Sequence, residues 1–278
     1  MASGDAHAVP TTGMLERLKW ASAGLALEAL GLESADPLFA PTAATLARFE
    51  VLEQTTQRQR LRFALPGSPD ARGNLTGRPG PLGTGLLWLT VYRGDLGELL
   101  RARFTQPRSA SLAEREWNLL CHLRAHGVGT SEPLLVGARG AGLFAAHSFL
   151  LVRAPADAFP LPRWLRTDGI GAERERGLES LGRTLANLVR SRVVLPHLRP
   201  EHLWLTPSGS GECETEAAVG LRKNKLPGVT VVDVKGGRLR KPRASGGAEL
   251  TDLFEGFRGL FVPEECARIE SLARARES

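Results

Sequence analysis

Two segments in the second half of the chain place reactive side chains beside apolar residues. In Leu195–Leu205 (LPHLRPEHLWL), His197 and His202 flank a proline, and in Val229–Val234 (VTVVDV) an apolar run closes on Asp233. A histidine, with an ordinary pKa of about 6.5, is suited to general-base work or to bracing a loop. An aspartate ending a strand can hold a cation or cap the turn that follows. A third segment, Arg115-Glu116-Trp117, carries its carboxylate on a helix; Glu114 is the alternative should the register differ. Cys121, His122 and His126 invite a metal reading, since residues four apart share a helix face, but no second ligand motif completes a site.

The elements that must position these groups follow from periodicity. Ala47–Glu53 and Arg58–Leu65 read as strands joined by the short turn Gln54–Gln57. The second alternates Arg58, Arg60 and Arg62 against Gln59, Leu61 and Phe63, the period of a sheet with one wet face. A Pro/Gly-rich stretch over residues 66–85 precedes a third strand, Leu86–Arg93. Ser111–Ala125 is an amphipathic helix with Trp117, Leu120 and either Leu119 or Leu123 on one face, ended by Gly127. Strands near Pro133–Gly137 and Ser148–Val152 lead to Ala154-Pro155, a hinge. Beyond it, Leu178, Leu181, Leu185 and Leu188 mark a helix over about Glu173–Arg192. Short strands at His202–Leu205 and Val229–Asp233 follow, and then a helical region over Glu249–Ala275. Segregated strands and helices of this kind predict an α+β fold, not an alternating doubly wound sheet.

Composition narrows the function classes. The 278 residues are 42% hydrophobic and 24% charged, ordinary for a globular protein. No apolar run approaches the ~18 residues that span a bilayer, and the N-terminus lacks a signal-peptide pattern. Three scattered cysteines are read as reduced thiols. The expected location is cytoplasmic. The net charge of +6 rests almost wholly on arginine, since the only lysines are Lys19, Lys223, Lys225, Lys235 and Lys241. Arginine usage on a solvated surface accounts for this, and so would acidic or phosphorylated partners.

Three segments, in order, carry a resemblance to a known family. Ser109–Gly137 (SASLAEREWNLLCHLRAHGVGTSEPLLVG) is similar to the helix-and-strand segment of the lipopolysaccharide core kinases of the Kdo/WaaP type, with its "REW" and "GVPTPEP". Leu195–Leu205 resembles that family's catalytic loop, HRDLKPRHLLL, and Val229–Val234 its strand ending in a metal-binding aspartate. The likeness covers roughly residues 47–260. It implies a two-lobed, protein-kinase-like fold in which a five-stranded antiparallel sheet plus one helix (residues 46–154) adjoins a mainly helical lobe (155–278). Residues 1–45 are expected to form a partly ordered extension.

What the resemblance implies about chemistry is specific. Kinase-type transfer uses a third-strand lysine on the nucleotide phosphates, a helix glutamate holding that lysine, a catalytic-loop aspartate as base, and a second aspartate on magnesium. Glu116 matches the glutamate and Asp233 the metal aspartate. Thr90 stands where the lysine belongs, and no lysine occurs between Lys19 and Lys223. Arg93 is near, but a regular strand sends it to the opposite face from Thr90. The catalytic aspartate falls on His197, which offers a base without a carboxylate's charge. His202 replaces a metal-binding asparagine, and imidazole suits magnesium poorly, so a phosphate contact or a bracing role fits it better.

Catalysis is thus assigned to His197 and Asp233, nucleotide contacts to Thr90, Arg93, Glu116 and His202, and the metal to Asp233. ATP and magnesium binding is expected to be weak, and no structural metal is expected. Gly77–Gly85 imitates a phosphate loop but lies between the second and third strands, whereas a nucleotide-covering loop joins the first two. From Arg222 to Arg243, eight Lys/Arg residues meet only Asp233. This run suits a solvated loop, or docking of an anionic glycolipid or membrane surface; nucleic acid is disfavoured because no aromatic residues interleave. The expectation is a pseudokinase that binds a ligand or partner. The alternative is an active ATP-dependent kinase acting on a sugar or glycolipid hydroxyl through Arg93, His197 and Asp233.

Overall fold

The computed structural model describes residues 15–20, 23–66, 85–93, 111–140, 147–155, 158–167, 170–196, 198–206, 228–239 and 257–275. The strands are β1 (Leu15–Trp20), β2 (Glu50–Gln54), β3 (Arg58–Ala64), β4 (Leu86–Arg93), β5 (Gly129–Thr130), β6 (Glu132–Gly140), β7 (His147–Arg153), β8 (Phe159–Pro160), β9 (Val193–Val194), β10 (Leu203–Thr206), β11 (Gly228–Val231) and β12 (Arg238–Leu239). The helices are α1 (Ala23–Leu30), α2 (Asp36–Phe39), α3 (Ala43–Leu46), α4 (Leu112–Ala125), α5 (Leu161–Thr167), α6 (Gly171–Ser191) and α7 (Pro263–Arg274).

Strand alternation decides the architecture. Along β4, Leu87, Leu89 and Val91 point one way and Trp88, Thr90 and Tyr92 the other, and all six are buried, so both faces of this sheet are covered. The outer face packs Leu61, Leu87, Leu89, Val91, Phe149 and Leu151 against Ala26, Leu30, Leu38 and Phe39 of the N-terminal segment. The inner face packs Trp88, Tyr92, Leu150 and Val152 against Leu119, Leu120 and Leu123 of α4, and that cluster runs on into the helical part of the chain. The sheet order is β1-β6-β7-β4-β3-β2, antiparallel throughout. The five expected strands are all present. A sixth, β1, comes from the N-terminal extension and pairs with the edge of β6, Leu18 opposite Gly137.

Helix α4 forms where the sequence supplies both ends. Ser111, extended at φ −142° and ψ 167°, accepts a hydrogen bond from the Glu114 N–H at 3.1 Å, which satisfies one of the first-turn amides. Gly127 takes up φ +72° just beyond the last turn, a conformation that favours glycine. Two residues on, β5 lies parallel to β11, with Thr130 beside Val231. A side chain at Gly129 would stand 2.4 Å from the Val229 carbonyl oxygen, so this approach requires glycine. The end of α4 is thereby tied to the strand leading into Asp233.

The remaining elements brace that strand. β11 pairs with β10, and β10 with β8. Leu178, Leu181, Leu185 and Leu188 are buried along α6, and α7 packs beside it, buried at Ile269 and Ala273. Trp88 of the large sheet meets Trp204 of β10 edge to face, centroids 5.1 Å apart, which joins the two sheets through an aromatic pair.

Candidate functional site

The expected aspartate lies at the junction of the two sheets. Asp233 lies two residues past the end of β11, its side chain only 10% exposed. Both of its oxygens are engaged. Oδ1 accepts the Lys235 backbone N–H at 2.8 Å, capping the turn. Oδ2 accepts from the Arg60 guanidinium at 3.3 Å and lies 3.7 Å from that of Arg58. Burial alone would raise this carboxyl, but the two arginines hold it below its ordinary value.

The arginines come from β3, the strand neighbouring β4, where the resemblance implies a lysine and Thr90 stands. In the β3–β4 register Arg60 is directly opposite Thr90, and Arg58 opposite Tyr92. Cross-strand partners lie side by side on one face, so the Arg60 side chain starts next to Thr90, the residue expected in the lysine's place. Its guanidinium crosses from the sheet to donate to the Val232 carbonyl at 3.1 Å and lies 4.6 Å from the centre of the Trp88 ring. Arg58 is 5% exposed and also pairs with Glu53 at 3.3 Å. The arginine alternation expected to form a wet face therefore lines a buried junction at Arg58 and Arg60. Arg62 alone among the three turns to a half-exposed partner, Glu50.

Glu116 joins this group. Buried on α4, it lies beside Arg58 and Tyr92 and close enough to Asp233 to feel its charge. Burial pushes its carboxyl up, Asp233 adds to that, and Arg58 opposes it. The Tyr92 hydroxyl stands beside this carboxyl, and the Arg58 Nε is buried without an acceptor. Both line a small cavity with Gln57, Arg115, Glu116 and Lys235. Its far wall is the chain after Asp233, which Arg115 grips by donating to the Gly237 carbonyl at 2.8 Å and the Gly236 carbonyl at 3.4 Å. Lys235 reaches back to Glu53 at 3.6 Å.

The predicted residues divide accordingly. Glu116, His202 and Asp233 come together, and Thr90 lies on the same inner face, buried opposite Arg60. His202 accepts the Arg199 N–H at 3.3 Å through Nδ1, and its carbonyl accepts from Val232 at 2.9 Å, so it braces the loop. Burial lowers its pKa. Glu114 is buried at the start of α4, outside the lining of the cavity. Arg93 is exposed at the end of β4, opposite His147, on the outer face by alternation. His197, nearly all of the Gly77–Gly85 stretch and most of the basic run lie outside the described residues. His122 bonds the Ser191 carbonyl through Nε2 at 2.8 Å, joining α4 to the end of α6. Among the described residues, no group of three His, Cys, Asp or Glu is placed to hold a metal.

Sequence reasoning passed over Arg58, Arg60, Arg115 and Tyr92. The available signal was the arginine stripe itself, on a strand next to one that contains no lysine.

The sequence model of the lipopolysaccharide kinase (Kdo/WaaP) family matches residues 57–219, more than half of the chain. No curated protein sequence matches. Among solved structures, the chain is similar to one titled "WaaP in complex with acyl carrier protein". That match has a TM-score of 0.57 and 16% identity, covering 93% of this chain and 89% of that one. A second, the autoinhibited serine kinase domain of the giant muscle protein titin, matches with a TM-score of 0.38 and 9% identity over 70% of this chain and 47% of its own. At such identities the WaaP structure speaks for the fold, and its coverage extends over nearly all of this chain.

Proposed function

Because the chain belongs to the lipopolysaccharide kinase (Kdo/WaaP) family, we propose that it is a kinase-like protein that has lost ordinary phosphotransfer and uses its cleft to bind a ligand or partner. One observation carries this reading: the aspartate that should hold magnesium is capped on one oxygen and faces two arginines on the other. Magnesium relies on one or two carboxylates together with substrate phosphates, and two guanidiniums at this carboxylate oppose a further dication. The metal therefore does not fit the arrangement as it stands. A nucleotide's phosphates fit better, since Arg58 is buried with an unpartnered Nε–H at the cavity. Thr90 supplies no charge in the lysine's place, and His197 would act as a base without a negative charge to organise a metal site.

A second reading, an active kinase on a sugar or glycolipid hydroxyl, draws support from the same arginines, because cations beside Asp233 and Glu116 could bear on transferring phosphates. Under either reading we place the protein in the cytoplasm, peripheral at an anionic membrane surface through its basic run. An acyl carrier protein, the partner in the solved WaaP complex, is a candidate partner here as well. The test is phosphate release and acceptor phosphorylation by purified protein with ATP, magnesium and a lipopolysaccharide core oligosaccharide, run beside Asp233→Ala. We expect no turnover above the variant. Robust turnover abolished by the variant would overturn the pseudokinase reading in favour of the second.

A further inference from the structure

The arginines on β3 have a use beyond neutralising Asp233. We propose that Arg60, with Arg58 beside it, does the work of the lysine missing at Thr90, and that the pair takes the phosphates of a nucleoside polyphosphate without a metal ion, by exchange with Asp233. The proposal rests on the kinase-like reading of the cleft, and it names the ligand's chemistry.

Three observations carry it. First, position: the β3–β4 register sets Arg60 directly beside Thr90, so a side chain from the neighbouring strand occupies the lysine's surroundings. Second, chemistry: a guanidinium pairs with phosphate through two parallel hydrogen bonds and stays charged when buried. Third, unused capacity: the Nε–H groups of both Arg58 and Arg60 are buried without an acceptor, and Arg58 is 5% exposed. Among the described residues, the carboxylate oxygen facing both is Asp233 Oδ2, at 3.7 and 3.3 Å. A phosphate bringing several oxygens can satisfy donors that one carboxylate oxygen leaves idle. Magnesium has the opposite relation to the pair, since it would compete with the arginines both for Asp233 and for the phosphate oxygens.

This reverses the usual sign of a substitution. Where an aspartate holds a metal on the nucleotide, removing it weakens binding. Here Asp233 competes with the phosphates, so removing it should tighten binding. The experiment is isothermal titration of the full chain with ATP and with inorganic tripolyphosphate, in EDTA and then in excess magnesium. Wild type, Asp233→Asn, Arg60→Gln, Arg60→Lys and the swap Thr90→Lys/Arg60→Thr are compared, and each is checked by thermal melting to be folded at the titration temperature. We expect wild type to bind both ligands in EDTA, and magnesium to leave the affinity unchanged or lower it. Asp233→Asn should bind more tightly, and Arg60→Gln more weakly by about tenfold, the scale of one charge-assisted contact. Arg60→Lys and the swap should recover most of the loss, because each returns a cation to the same place. The proposal is overturned if wild type binds neither ligand in EDTA, if Arg60→Gln binds as wild type does, or if Asp233→Asn weakens binding. Turnover is a separate readout: catalysis would sink the pseudokinase reading and leave this one, whereas absent binding would sink this one alone.

Discussion

Replacing Asp233 by asparagine removes a charge while keeping the side chain's shape, and its effect on stability can be worked out from the contacts. At 3.3 and 3.7 Å from Arg60 and Arg58, the gross attractions are about 5 and about 4.5 kcal/mol at an effective dielectric of about 20. Desolvation of three charged groups offsets much of this. What the variant loses depends on what each arginine keeps. Arg58 retains Glu53 at 3.3 Å and the nearby Glu116. Arg60 retains the Val232 carbonyl at 3.1 Å and the face of Trp88, but, among the described residues, no other carboxylate in direct contact. One guanidinium is therefore stranded, with its side chain 15% exposed. Breaking a fully buried pair costs about 3–5 kcal/mol, so partial exposure brings the expectation to about 2–3 kcal/mol. For a chain of this size that is a fall in melting temperature of about 5–10 °C. Thermal and urea unfolding in EDTA at pH 7.5 would measure it, and a cycle with Arg60→Gln should show coupling of about 1–2 kcal/mol. An unchanged or raised melting temperature would refute the reasoning. That result would mark a carboxylate kept apart for a cation, whose loss relieves repulsion with Glu116.

Three further outcomes follow from the structure. Ser111→Ala removes the acceptor for the Glu114 N–H and should lower stability by about 1 kcal/mol in urea unfolding. Gly177→Ala would put a methyl group 2.1 Å from the ring of the fully buried Trp164; overpacking of about 1–3 kcal/mol should exceed the helix-propensity gain of about 1 kcal/mol, visible as a lower melting temperature. His202, whose pKa burial holds below 6.5, favours its neutral form in the fold, so its contribution is present above that value and is lost as pH falls through the lowered one. Glu116, with its raised pKa, contributes in the opposite sense, stabilising as it takes up a proton. The comparison that isolates His202 is urea midpoints of wild type and His202→Gln between pH 7.5 and 5.5, where the variant should lose less stability on acidification.

Much of the fold was legible because its signals are local. The β4 strand runs from Leu86 to Arg93 as its apolar run predicts, and α4 begins one residue after Ser111 because the cap and the leucine spacing agree. The pairing of β1 was not legible. Leu15–Trp20 alternates poorly, and it becomes a strand only because β6 offers an edge more than a hundred residues further along. The outer cover of the sheet was missed for a similar reason. Leu30, Leu38 and Phe39 look like scattered apolar residues until the sheet's second face needs them. Glu116 and Asp233 were legible through their motifs. Arg58 and Arg60 were not, because period-2 arginines describe a strand with one polar face equally well whether that face meets water or a carboxylate. The difference is made by Asp233, 173 positions away from Arg60.

The two arginines also account for a buried Glu116 facing a β4 that carries no lysine. A lysine at position 90 would be a compact point charge able to face the glutamate directly. Arg60 instead sends a planar fork across to the chain just past β11, where it meets the Val232 carbonyl and Asp233 together, and leaves Arg58 as the stronger cation at Glu116. That division uses both arginines, since the guanidinium engaged at Asp233 and Val232 acts on Glu116 less strongly than Arg58 does. Arg58 is accordingly the more deeply buried of the two, and the charges of Glu116, Asp233 and Glu53 together keep it firmly protonated against the effect of burial. A lysine placed at position 90 without removing Arg60 would put a third cation among these acids. Only relocation of the charge, and not its addition, preserves the balance on which the junction of the two sheets depends.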